Sequence, residues 1–179
     1  MTRRDLFPTP IWRIEGAPQQ LVEELYQGAY RFKEEVFKEE YPSGDNRSSE
    51  GGYQTPFLKW KDFHPQGVEV INKLVYEAIE HEFKVQAWWF NINGKGHWNA
   101  PHTHPDCDLA LVLYLTETDN LLTLVNPFSH RNYSGDRNDI IPKPKKGNIL
   151  IFPSDVLHFV KPNPRDEDRI SISMNLQLS

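Results

Sequence analysis

The sequence predicts a mainly β fold, a sandwich or barrel of short strands, with two helices ahead of it. Three observations carry that prediction. From Val85 onward, short apolar runs are broken by Gly, Pro, Asn and Asp, which is the punctuation of antiparallel β structure. The segment from Arg169 to Leu178 alternates, with Ile170, Ile172, Met174, Leu176 and Leu178 on one face and Ser171, Ser173, Asn175 and Gln177 on the other. Before Val85 the apolar residues recur at helical spacing instead.

Taken in order, Pro18 is followed by Leu21, Val22, Leu25, Ala29, Phe32 and Val36 with charged residues between them. A first amphipathic helix is therefore expected from about Pro18 to Glu40. Residues 41–54 are polar and glycine-rich, and read equally well as a plain surface loop or as a substrate lid. A second helix is expected from about Pro65 to Phe83, burying Val68, Ile71, Leu74, Val75, Ala78 and Ile79. Strands are placed near Ala87 to Asn93, Leu109 to Thr116, Leu121 to Val125, Asp139 to Lys143, Asn148 to Phe152, His158 to Lys161 and Arg169 to Leu178. No repeat or linker divides the chain, so residues 1–179 read as one domain, with a helical layer over about 1–84 and a β core over about 85–179.

Composition narrows the function. The net charge is −5 and charged residues are 25% of the chain, so a phosphate-binding surface, and with it nucleic acid, is not expected. Cys107 is the single cysteine, and Met1-Thr2-Arg3-Arg4-Asp5 is followed by no apolar run of signal-peptide length. These point to a reducing, cytoplasmic setting. No stretch reaches the apolar length of a membrane span.

The chemistry is concentrated in a few residues. Asn99-Ala100-Pro101-His102-Thr103-His104-Pro105-Asp106 carries two imidazoles one residue apart, and His158 follows on a later strand. On an extended segment, residues i and i+2 point to one face, so His102 and His104 can share a divalent metal with His158. Neutral imidazole suits Fe, Zn, Cu and Ni, and the absence of clustered cysteines speaks against a structural zinc knot. A lone strand histidine is more often a satisfied core or surface residue; three in matching strand-turn contexts are not. Arg169 could be a surface ion pair beside Arg165-Asp166-Glu167-Asp168. Arg169-Ile170-Ser171 nevertheless projects a guanidinium and a hydroxyl from one strand face, a good receptor for a carboxylate.

Asn91 through Pro101-His102-Thr103-His104, then Leu111-Val112-Leu113-Tyr114-Leu115, Gly147-Asn148-Ile149-Leu150-Ile151-Phe152-Pro153-Ser154, His158 and Arg169-Ile170-Ser171 together resemble the iron(II)- and 2-oxoglutarate-dependent oxygenases. The likeness is strongest to a bacterial and phage branch with an Asn, a His-x-His-Pro, a Phe-Pro-Ser-x-x-x-His and an Arg-Ile-Ser-Ile-Ser-x-Asn. It covers residues 85 to 178, and the Phe7-Pro8-Thr9-Pro10-Ile11-Trp12 opening is also similar. The resemblance implies a double-stranded β-helix core (jelly-roll, cupin-like) flanked by two helices. It implies Fe(II) held by His102, His104 and His158, with 2-oxoglutarate as cosubstrate and O2 consumed. Arg169 would bind the distal carboxylate, with Ser171 and Tyr114 as further donors and Asn91, Asn93 and Asn175 as polar lining. Succinate and CO2 would be released as a peptide side chain or small molecule is hydroxylated. Most members place a carboxylate where His104 stands; read one step later, His104-Pro105-Asp106 restores His-x-Asp and makes Asp106 the alternative ligand. The competing function is a cupin-like metal-binding or sugar-binding β-barrel without turnover, which would have no use for Arg169 and Ser171. Trp88, Trp89, Phe90 and Trp98 are expected as core and rim, not as a recognition cage.

Overall fold

The computed structural model describes residues 9–40, 44, 47–117, 119, 122–126, 138–140 and 144–179. The chain opens with β1 (Trp12–Ile14) and α1 (Gln19–Arg31), then β2 (Ser49–Glu50), β3 (Tyr53–Gln54) and α2 (Pro65–Ile79). The β core follows as β4 (Phe83–Asn93), β5 (Trp98–His102), β6 (Leu109–Tyr114), β7 (Leu122–Val125), β8 (Asn138–Ile140), β9 (Ile149–Pro153), β10 (His158–Val160) and β11 (Arg169–Leu178). Six strands form one antiparallel sheet in the order β1-β9-β6-β11-β4-β3, and five form a second in the order β2-β5-β10-β7-β8. No helix among the described residues is long and apolar enough to cross a membrane.

The first helix is shorter than its periodicity predicts. After Arg31 the backbone widens into a π-helical turn, Phe32–Val36, in which Phe37 N–H donates to the Phe32 carbonyl at 3.0 Å. Aromatic packing supplies the reason. The Phe32 ring lies 5.5 Å from Phe90, 5.8 Å from Trp88 and 5.9 Å from Phe37, and the wider turn brings Phe37 over it. α2 also stops early, at Ile79, because Glu80 takes the left-handed conformation (φ 56°) that ends a helix. Phe83 consequently opens β4 instead of closing α2. Residues 49–54 are not a free loop, since β2 pairs with β5 and β3 with β4. The lid reading of residues 41–54 otherwise falls partly on 41–43 and 45–46, which lie outside the described residues, as do 141–143 of the expected strand to Lys143.

Alternation divides the core into two parts with different jobs. Leu109, Leu111 and Leu113 on β6, Ile149 and Ile151 on β9, and Ile170, Ile172, Met174 and Leu176 on β11 face Leu21, Leu25, Ile71 and Val75 of the helices. Each such buried side chain contributes about 1.5–3 kcal/mol, so the helix-covered face supplies most of the hydrophobic stabilisation. Between the sheets a smaller cluster gathers Ala110, Tyr114, Leu122, Leu124, Leu150 and Phe152. The rest of that inner space is free to be polar.

One irregularity fixes the register there. β5 and β10 pair His102 with His158 but Asn99 with Val160, so two residues of β5 oppose one of β10. That bulge accommodates Pro101, which has no N–H for a ladder bond, and it sets His102 directly across from His158.

Candidate metal centre and carboxylate receptor

His102 ends β5, His158 begins β10, and His104 stands two residues past the strand, its N–H donating to the Ser154 carbonyl at 2.9 Å. The ring centroids are 4.3 Å apart for His102–His158, 5.3 Å for His102–His104 and 5.1 Å for His104–His158. One ring nitrogen from each lies within 4.8 Å of the others. The second nitrogen of each is already engaged. His102 Nδ1 meets the Ala100 carbonyl at 2.7 Å, His158 Nδ1 the Val156 carbonyl at 2.8 Å, and His104 Nδ1 the Asn175 Oδ1 at 2.7 Å. An oxygen acceptor fixes Nδ1 as the protonated nitrogen and leaves the Nε2 lone pair of all three rings unspent.

Burial keeps these rings neutral. It draws the His158 imidazole down to about 3, helped by the neighbouring His102, and the His104 imidazole to about 4 against the opposing bond to Asn175. His102 is lowered by burial as well. Three neutral, pre-oriented imidazoles are a fitting donor set for a divalent transition metal. Asp106 is exposed in the turn after His104, at φ 64°, and lies outside the cluster of three.

The polar face of β11 turns into the same cavity. Arg169, Ser171 and Ser173 line it together with the three histidines, Tyr114 and Asn91. Arg169 is only 6% exposed, and burial draws its guanidinium down to about 10, still cationic at neutral pH. Its partners are neutral: Nη2 donates to Asn99 Oδ1 at 3.1 Å and Nη1 to the Lys161 carbonyl at 3.4 Å. Among the described residues no carboxylate pairs with it; Asp119, on the same cavity wall, is bonded to Arg165. A buried cation without a counter-ion is expensive unless an anion completes the site. Burial pushes the Tyr114 hydroxyl well above its ordinary value, so it stays a proton donor there.

The structure thus brings His102, His104, His158, Arg169, Ser171, Tyr114 and Asn91 to one cavity. Asn91 is partly occupied, donating to Ser173 Oγ at 3.0 Å. Asn93 and Asn175 act through other residues. Asn93 Nδ2 donates to Asn99 Oδ1 at 2.9 Å, and Asn175 holds His104. Trp88 is core, Trp98 is exposed rim, and Trp89 lines the cavity 5.5 Å from the His104 ring. Sequence reasoning gave no role to Asn99, the acceptor shared by Arg169 and Asn93. An asparagine inside a short strand carries no pattern to mark it.

A family model described as "Putative 2OG-Fe(II) oxygenase" matches residues 87–175, a span that contains the three histidines and Arg169. No curated protein matches the sequence. Among solved structures, the chain is similar to a prolyl-4-hydroxylase from Pseudomonas putida at 16% identity and TM-score 0.66, covering 93% of this chain and 91% of that one. A viral collagen prolyl hydroxylase from Paramecium bursaria Chlorella virus-1, in complex with 2-oxoglutarate, matches at 14% identity and TM-score 0.62 over 93% and 94%. HygX from Streptomyces hygroscopicus, with nickel and 2-oxoglutarate bound, matches at 11% identity and TM-score 0.66 over 94% and 83%. These likenesses identify the two-sheet, two-helix architecture as the expected double-stranded β-helix.

Proposed function

Since the chain belongs to the 2-oxoglutarate- and Fe(II)-dependent oxygenases, we propose that His102, His104 and His158 hold the iron and that Arg169 receives the distal carboxylate of 2-oxoglutarate. The protein is a non-haem dioxygenase using Fe(II) and 2-oxoglutarate. Bound iron would supply the redox chemistry by which O2, 2-oxoglutarate and a substrate C–H group give succinate, CO2 and the hydroxylated substrate. The single observation supporting the residue assignment is that one cavity carries both three free imidazole lone pairs and a buried guanidinium that has no counter-ion among the described residues.

The chain's own residues then have distinct tasks. Neutral imidazoles can ligate at neutral pH without first losing a proton. Asn99 holds the Arg169 guanidinium at a fixed angle, ready for a carboxylate. Ser171 and the protonated Tyr114 add donors beside it, while Val112, Leu122 and Val160 keep the wall apolar and exclude water. A metal-binding barrel without turnover has no need of this cation. We read the substrate as a peptide side chain or small molecule, hydroxylated in the cytoplasm without nucleic acid or membrane, within one domain spanning residues 1–179. The lone Cys107 is in keeping with a reducing compartment.

Calorimetric titration of 2-oxoglutarate into the anaerobic Fe(II)-loaded protein tests the assignment. Removing one partner of a buried charged pair costs about 2–5 kcal/mol, so Arg169→Ala should weaken binding by about thirtyfold or more with iron retained. Unchanged affinity would place the carboxylate receptor elsewhere.

A further inference from the structure

The geometry points to a second cavity, opening beside His102 and His104, as the seat of the oxidised substrate, shaped for a neutral chain of amide groups: a peptide segment recognised by the Gln54 carboxamide. This rests on the metal assignment above and adds the substrate class to it. The cavity measures about 440 Å³, within the usual range for ligand sites, and shares Trp89, His102 and His104 with the Arg169 cavity. A bound chain would therefore pass next to the metal.

Gln54 is the observation that names the ligand. Its side chain is 2% exposed, lines this cavity and has no hydrogen-bond partner among the described residues. Its carboxamide offers two N–H donors and an acceptor oxygen that open onto the cavity, where a ligand can meet them. Asn175 adds a further donor, because its Oδ1 is spent on His104 while its Nδ2 has no partner there. A peptide bond, with C=O and N–H side by side, satisfies both.

The aromatic residues argue against a sugar. Phe57 has the Arg47 guanidinium 4.2 Å from its ring centroid and the Trp89 ring at 4.7 Å, tilted 30°. Both planar groups already pack against the ring of Phe57, a residue that keeps 41% of its surface exposed, so a pyranose would have to compete with them for it. Arg47 is engaged over the ring and Asp106 lines the same cavity, which disfavours an anionic ligand.

The test uses ¹⁵N-labelled full-length protein loaded with Zn(II), which occupies imidazole sites without turnover, in the presence of 2-oxoglutarate. It is titrated with a pool of capped pentapeptides, N-acetyl-Gly-Gly-X-Gly-Gly-amide, and separately with a pool of neutral disaccharides. The peptides should shift the Trp89 indole N–H and the Gln54 side-chain NH2 signals, and the disaccharides should not. Gln54→Leu and Gln54→Glu should each weaken the peptide response by about tenfold or more, the loss expected when a hydrogen-bonded partner is removed. The zinc content of each variant reports whether the histidine site survives. Disaccharide binding at these signals, silence from both pools, or equal peptide response in wild type and both variants would overturn the substrate class. Failure to bind zinc or 2-oxoglutarate at all would instead strike the metal assignment beneath it.

Discussion

Asn175 and Asp106 show how much a single side chain can decide here. His102 and His158 are oriented by backbone carbonyls two residues earlier in the chain, which no substitution removes, whereas His104 depends on the Asn175 side chain. Loss of such an orienting partner usually lowers metal affinity by about 10–100-fold. Asn175→Leu should therefore weaken Fe(II) or Zn(II) binding by about that factor in a chelator competition, with the fold intact by circular dichroism. Unaltered affinity would show that packing alone holds the His104 ring. His102→Ala should lose the metal outright, while Asp106→Ala, at an exposed turn position, should keep it. Stoichiometric iron in the first variant and none in the second would restore the alternative register built on His104 and Asp106.

At the scale of elements, the strap formed by β2 and β3 reaches the Arg169 cavity through a chain of amides. Ser49 Oγ donates to Asn93 Oδ1 at 3.4 Å, Asn93 donates to Asn99, and Asn99 accepts from Arg169. Gly52 makes room for this chain, since a Cβ there would come within 1.9 Å of Asn93 Oδ1 and 2.7 Å of Ser49 Oγ. Gly52→Ala must displace Asn93, an overpacking penalty of about 1–3 kcal/mol. The expected result is weaker 2-oxoglutarate binding by calorimetry with little change in metal affinity. Equal losses of both would mean that the strap supports the whole cavity and not Arg169 in particular. These strands are also where sequence reading stopped. A two- or three-residue edge strand such as β1, β2 or β3 has no measurable period, and β5 is disguised by Pro101 until its bulge is seen. The ten-residue β11 shows its alternation over its full length, and its bounds agree with the structure.

Over the whole molecule, stability and function occupy different sides of one sheet. The helix-covered face of the six-stranded sheet is apolar and strongly stabilising; the space on its other side holds the buried Arg169 cation of β11 and the imidazoles carried by the five-stranded sheet, which work against folding until ligands arrive. A pH dependence follows. His104 and His158 titrate near 4 and 3 in the folded chain and near 6.5 when unfolded. Between those values the unfolded chain binds more protons, so the contribution is present in full above about 6.5 and is lost as pH falls toward 3–4. Each histidine steepens the fall by about 1.4 kcal/mol per pH unit in that window. Urea unfolding of metal-free protein at pH 7 and pH 5 should show the loss, and His158→Gln should reduce it; identical losses in the two proteins would remove His158 from the account. The sequence by itself determined the class of chemistry and the mainly β frame, because alternation, histidine spacing and an arginine opening a strand are local properties that need no partner to be read. Only the tertiary structure decided which groups meet. The β5 bulge sets His102 against His158, Asn175 on a distant strand orients His104, Asp106 is turned to solvent, and Gln54 faces a cavity with no partner among the described residues. Those facts depend on register between segments far apart in the chain, where a shift of one residue moves a side chain to the opposite face.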